Sequence, residues 1–220
     1  MKTYRKKLKF RFRFLRRMFY DLLLEKLFTK AKRVLDVGCG EGEFLNSCVA
    51  HRKICVGMDI NIKLMLKIAK KYQNITEIAI IVADMFHMPF RARSFDVIFY
   101  SHVIEHVTVR EAIQILSQFS KIACIVVIIT PSYHRSFWTP GHITPYTMKT
   151  SAKVLTLAGF RPLLITYDKA FILNLPPQVF ERNRLIVSLF NNMPMSFMKL
   201  NLLAIGISTR QENTDTWKEK

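Results

Sequence analysis

With 220 residues, half of them hydrophobic and 12% aromatic, the chain can bury one substantial core, which excludes the disordered and fibrous classes. Its 34 Lys and Arg against 16 Asp and Glu give a net charge of +18, which suits contact with nucleic acid, anionic lipid or a negatively charged substrate. The longest apolar run, residues 122–129, falls far short of the roughly 20 residues a membrane-spanning helix needs, so no transmembrane segment is expected.

The charge is concentrated at the start. Residues 1–33 hold thirteen Lys and Arg against Asp21 and Glu25, and residues 1–32 read as a basic arm running into an amphipathic helix. Residues 33–220 read as the main domain. Strands are predicted over 33–37, 54–59, 78–83 (ending in Asp84), 95–100 and 122–129. Helices fall between them over 42–50, 61–71 and 111–119. A helix over 147–158 stops at Gly159, a suitable C-terminal cap, and two further strands are predicted over 161–167 and 202–209. Residues 171–201, with a helix over 178–190, are too long for a turn and are expected to cover a site. Strands alternating with helices indicate a parallel sheet covered on both faces. Cys39, Cys48, Cys55 and Cys124 form neither a CxxC pair nor a disulfide framework, so reduced thiols in a cytoplasmic protein are expected.

The loop Asp36-Val37-Gly38-Cys39-Gly40-Glu41-Gly42 leaves the first strand and enters a helix. Such a loop points backbone N–H groups at a ligand, and its glycines allow close approach. A dinucleotide fingerprint would be GxGxxG; here the third glycine comes one residue early, at Gly42. Asp36 suits a ligand bearing an amino group better than a pyrophosphate. Asp59 ends the second strand, where a carboxylate can accept ribose hydroxyls. Asp84 ends the third, placed to accept an exocyclic amine. Ser101 follows the fourth strand within reach of the same ligand.

Taken in order, VLDVGCGEG, VGMDI, ADMFHMPF and FDVIFYSHVIEHV resemble the cofactor motifs of class I S-adenosylmethionine (SAM)-dependent methyltransferases over about residues 33–132. The resemblance implies a Rossmann-like, doubly wound, three-layer αβα sandwich with a seven-stranded, mostly parallel sheet and a final antiparallel strand. It implies SAM as cofactor, with Asp36, Gly38, Cys39 and Gly40 at the methionine end, Asp59 at the ribose, and Ile60, Asp84 and Met85 at the adenine. Ile104-Glu105-His106-Val107 is similar to the EHV signature of ubiquinone-biosynthesis-type O-methyltransferases. Related families use ExxEH with a later His to hold a metal. Here His102 replaces the first Glu, which weighs against an oxygen-rich magnesium site. His102, Glu105 and His106 would share a helical face, with His142 further on. The group reads as a helix-start motif packed around the cofactor, and no metal is expected.

After the fifth strand, Tyr133, His134, His142 and Tyr146 gather in one loop. A histidine titrating near neutrality is a natural base for an alcohol or phenol, so His106, His134 and His142 are the candidate catalytic groups. The expected acceptor is an oxygen of a small-molecule or lipid-linked metabolite, the arm resting on an anionic membrane surface and the protein cytoplasmic or peripheral to that membrane. RNA is the alternative, favoured by nine basic and no acidic residues in 1–17 and by Phe10-Arg11-Phe12-Arg13-Phe14, whose rings and guanidinium groups suit bases and phosphates. A non-catalytic SAM-binding partner protein is the third reading.

Overall fold

The structure is a computed structural model that describes residues 20–133, 136, 138–167 and 201–210, without the side chains of Lys26 and Leu27. The basic residues 1–19, His134 and nearly all of the expected covering segment with its helix lie outside the described residues. The elements run β1 (Arg33–Val37), α1 (Glu43–Ala50), β2 (Ile54–Asp59), α2 (Ile62–Tyr72), β3 (Ile78–Val82), β4 (Phe95–Ser101), α3 (Val109–Ile122), β5 (Ala123–Pro131), α4 (Met148–Leu157), β6 (Phe160–Tyr167) and β7 (Asn201–Ser208). The seven strands form one sheet in the order β3-β2-β1-β4-β5-β7-β6. The chain divides into two compact units, Met1–Phe99 with Ile122–Cys124 and Tyr100–Lys121 with Ile125–Lys220.

In the first unit, β1 pairs with β2 and β2 with β3, all parallel. Val34, Leu35 and Val37 are at most 1% exposed, the near-continuous apolar run expected of a strand covered on both faces. Arg33 at the start of β1 is fixed from β4. The Asp96 carboxylate accepts the backbone N–H groups of Lys32 (2.8 Å) and Arg33 (2.9 Å) and the Arg33 guanidinium (3.0 Å). Residues 20–31 belong to this core. Tyr20, Leu22, Leu23, Leu24 and Phe28 are buried, and the Tyr20 ring meets Phe44 and Phe99 edge-on, which are themselves stacked at 3.8 Å. The Lys53 ammonium closes the chain after the π-turn Leu23–Leu27, donating to the carbonyls of Phe28 (3.1 Å) and Thr29 (2.8 Å). The described part of the expected helix turns an apolar face into this core, with Tyr20, Leu23, Leu24 and Phe28 recurring at helical intervals.

In the second unit, β7 lies between β5 and β6 and is antiparallel to both. β6 carries Pro162, with a register shift between Pro162 and Leu164, and an edge position tolerates both the missing donor and the irregularity. α4 begins at Thr147, whose hydroxyl accepts the Thr150 N–H (3.1 Å), and ends before Gly159 at φ +87°. That is the glycine cap the sequence indicates. α3 starts two residues earlier than helical spacing predicts, because Thr108 and Glu111 form a reciprocal capping box. The Glu111 carboxylate accepts the Thr108 N–H (2.7 Å) and hydroxyl (2.8 Å), while the Thr108 hydroxyl accepts the Glu111 N–H (3.3 Å).

Candidate functional site: two carboxylates at a glycine turn, and a histidine pair

The glycine turn sits between β1 and α1, and Gly38, Gly40 and Gly42 all have positive φ (71°, 52° and 71°), which explains glycine at each. The turn is sealed by hydrogen bonds within the first unit. The N–H groups of Gly38 (2.8 Å) and Cys39 (3.1 Å) donate to the Met58 carbonyl, and that of Gly42 to the Cys39 carbonyl (2.9 Å). Gly40 N–H donates to Asp59 Oδ2 at 3.2 Å. The sequence suggests N–H groups aimed at a ligand; four of them are instead taken by protein acceptors. That removes the donors a phosphate would need and leaves carboxylates as the turn's electrostatic signature.

Asp36 is 3% exposed, and burial, reinforced by the charge of Asp59, pushes its carboxyl up to about 8. Asp59 is half-buried and doubly anchored, its Oδ1 accepting the Asn61 N–H (3.0 Å) and its Oδ2 that of Gly40. A carboxylate has about four acceptor sites, so two bonds leave Asp59 able to take ligand hydroxyls. Two carboxyl groups of which one is buried form a site that a cationic ligand relieves and an anionic one worsens.

Other positions in this unit have different characters. Cys39 is buried, with its thiol 3.8 Å from the Met65 sulfur. Its N–H, carbonyl and side chain are all engaged by protein, which explains a core role. Ile60 is 68% exposed beside Asp59, an open apolar surface suited to a flat ring. Asp84 lies two residues beyond the end of β3, its Oδ1 accepting the Phe86 N–H (2.9 Å) and its Oδ2 3.5 Å from His87 Nδ1. Met85 follows it, half-buried. Tyr72, which the motifs do not mark, braces the turn. Its hydroxyl lies 2.9 Å from the Gly42 carbonyl and 2.8 Å from Asn46 Oδ1, and accepts from Lys71 Nζ (2.8 Å). Only the burial of an aromatic at the end of α2 could have flagged it.

The second unit assembles the histidines differently from expectation. His102 is not helical: it has φ 56°, follows Ser101 at the end of β4, and its N–H donates to the Ile129 carbonyl (2.7 Å). Ile104–His106 is a single 3₁₀ turn, and Val107 returns to extended backbone before α3. The three residues therefore share no α-helical face: His102 precedes a tight turn that carries Glu105 and His106. His102 Nδ1 lies 3.5 Å from Glu105 Oε1, and Glu105, 1% exposed, also accepts the Thr130 hydroxyl (3.1 Å). His106 faces His142 instead, with ring centroids 5.0 Å apart at 84°. The Gly141 carbonyl, 2.9 Å from His106 Nδ1, can only accept, so Nδ1 carries the proton and Nε2 the lone pair. His142 Nδ1 lies 3.0 Å from the Ser136 hydroxyl. In the loop, Tyr133 is 40% exposed, but Tyr146 is 1% exposed. Burial and then the Glu105 charge push the Tyr146 phenol well above its ordinary range, which suits a hydrogen-bond donor and not a base.

The seven-stranded sheet, with its strand order and antiparallel β7, has the fold of a solved SAM-dependent methyltransferase. Residues 35–123 match the family model of a methyltransferase domain. A curated relative, an uncharacterised protein of Methanocaldococcus jannaschii, is 30% identical over 112 residues, covering 49% of this chain and 46% of that one. The match thus spans about half the length of that relative. Among solved structures, a SAM-dependent methyltransferase from Archaeoglobus fulgidus superposes with TM-score 0.60 at 20% identity, covering 87% of this chain and 94% of that one. The [4+2]-cyclase SpnF superposes with TM-score 0.64 at 13% identity, covering 87% and 81%. Among the described residues, no helix is long and apolar enough to cross a membrane.

Proposed function

We propose that this chain transfers the methyl group of SAM to an oxygen of a small-molecule or lipid-linked acceptor. The observation that carries the reading is the pairing of buried Asp36 with Asp59 around a turn whose N–H groups are already satisfied. SAM brings an ammonium and a sulfonium, which answer that negative charge, and ribose hydroxyls, which Asp59 can accept. Gly38 and Gly40 would let the methionine end approach the backbone, with Ile60, Asp84 and Met85 at the adenine and Ser101 toward the methionine portion. Methyl transfer from a sulfonium is an in-line displacement in which the cofactor supplies the activation. The protein must then orient the acceptor and remove its proton. His106, with its lone pair placed on Nε2, and His142 are suited to that step; His134 remains a candidate from the sequence.

A second reading, RNA as acceptor, is favoured by the net charge of +18 and by the Phe-Arg alternation at 10–14. The discriminating experiment is transfer of labelled methyl from SAM into a whole-cell extract, followed by fractionation. Label in the lipid or small-molecule fraction supports the first reading. Label in RNA, with retention falling steeply as salt rises, supports the second. Absence of label anywhere despite tight SAM binding would leave a non-catalytic SAM-binding protein.

A further inference from the structure

We propose that Glu105, His106 and His142 hold a divalent first-row transition cation, of which Zn²⁺ is the representative. Each residue offers one ligand atom, and the three atoms lie within 4.8 Å of one another. Ligands about 2.0–2.1 Å from a tetrahedral ion stand roughly 3.4 Å apart, so side-chain rotations moving these atoms by about an ångström close the set. Two nitrogens and one carboxylate oxygen suit Zn²⁺ or Fe²⁺ better than Mg²⁺ or Ca²⁺, which take oxygen ligands.

Several features prepare these groups for an ion. The Gly141 carbonyl fixes the His106 tautomer, and Ser136, itself 1% exposed, stands 3.0 Å from His142 Nδ1. Metal-bound histidines characteristically have their other nitrogen held in this way. The two sequence segments are locked in register, because the Glu105 carbonyl accepts the N–H groups of Ile143 (2.8 Å) and Thr144 (3.1 Å), and the Thr144 hydroxyl donates to the Val107 carbonyl (2.7 Å). The Glu105 carboxylate is buried, with one neutral hydroxyl donor and a histidine at 3.5 Å. The Tyr146 hydroxyl is also buried and has no hydrogen-bond partner among the described residues. A buried carboxylate calls for a positive partner, and a cation supplies one.

Three protein ligands leave a coordination position open, as in catalytic rather than structural sites. With the ion bound, His106 and His142 would serve as its ligands in place of their role as bases, and an acceptor hydroxyl entering the open position would be acidified by the ion and release its proton to solvent. That role rests on the methyltransferase reading; the binding of the ion does not.

The test is titration of the metal-free full-length chain with Zn²⁺ by calorimetry and with Co²⁺ by visible absorption, alongside S-adenosylhomocysteine binding to the same samples. The expected result is one equivalent bound with Co²⁺ bands of low coordination number. His106→Ala and His142→Ala should each weaken binding by at least about tenfold, or ~1.4 kcal/mol, while leaving S-adenosylhomocysteine affinity intact. That intact affinity shows the variants to be folded, and it spares the test from relying on buried Glu105. No saturable Zn²⁺ binding with a Kd below about 100 μM, a binding free energy of ~5.5 kcal/mol, would overturn the proposal. So would binding that survives both substitutions. Metal binding without S-adenosylhomocysteine binding would instead sink the methyltransferase reading and leave the metal site standing.

Discussion

At the end of β1, burial and the neighbouring Asp59 charge hold the Asp36 carboxyl at about 8. In the ligand-free protein the folded state therefore keeps a proton that the unfolded chain releases near 3.8. This group's contribution to stability falls as pH rises from about 4 to about 8 and is flat above. A cationic ligand reverses the preference by drawing the proton off. SAM binding at pH 7 should thus release protons, seen as a dependence of the calorimetric enthalpy on buffer. Affinity should tighten between pH 6 and 8, by at most about tenfold per pH unit, and then level off. Asp36→Asn should abolish both effects, and a proton uptake on binding would contradict the assignment. Gly57 offers a residue-scale test of the turn's support. A Cβ there would lie 2.9 Å from Leu45 Cδ1 and 3.2 Å from both Cys39 Sγ and Ile80 Cδ1. Gly57→Ala should cost about 1–3 kcal/mol of stability, measurable as a lowered denaturation midpoint, and should weaken ligand binding through displacement of Cys39. Asp36, Gly38, Gly40 and Asp59 were legible because each is marked by residue type at a strand end. The capture of the loop's N–H groups by Met58 and Asp59 was not, since it depends on the β1–β2 register, and neither was the brace from Tyr72.

Each strand's existence followed from its apolar run, but its neighbours did not. The insertion of β7 between β5 and β6 pairs residues some eighty positions apart, such as Ile125 with Ile207, and no local pattern encodes that choice. End positions were misjudged where a side chain decides them, as with the Thr108–Glu111 capping box that starts α3. The histidine cluster departs from its expected helix for a related reason. The i, i+3, i+4 spacing implies a helix, yet the left-handed His102 and the extended Val107 confine the turn to Ile104–His106. At the opposite end of β1, Asp96 secures the strand's first residues. Burial alone would raise its carboxyl, but the N–H groups of Arg33 and Lys32 and the Arg33 guanidinium outweigh that and hold it below the ordinary range. Its stabilisation is present above the unfolded value of 3.8 and is lost as pH falls through the lower folded value. Asp96→Ala strands those donors and should cost about 1–3 kcal/mol in a urea titration at pH 7. An unchanged midpoint would show the contact to be dispensable.

Across the whole molecule, the seven-stranded sheet and the match over residues 35–123 settle the architecture. A cyclase shares that architecture, so fold does not dictate chemistry, and the site must carry the argument. Net charge is similarly permissive. Its sign predicts anionic partners, but RNA and lipid phosphates present the same charge, and the residues that concentrate it lie in 1–17. What favours SAM over a phosphate-bearing ligand in the proposed reading is the turn itself, with the N–H groups of Gly38, Cys39, Gly40 and Gly42 bonded to protein acceptors and Asp36 and Asp59 beside it. The most direct measurement is calorimetric titration of S-adenosylhomocysteine into the wild-type chain and the Asp59→Ala variant. The account predicts one site in the wild type and affinity reduced at least about tenfold, ~1.4 kcal/mol, in the variant. No binding to the folded wild type, or equal binding to both proteins, would contradict it.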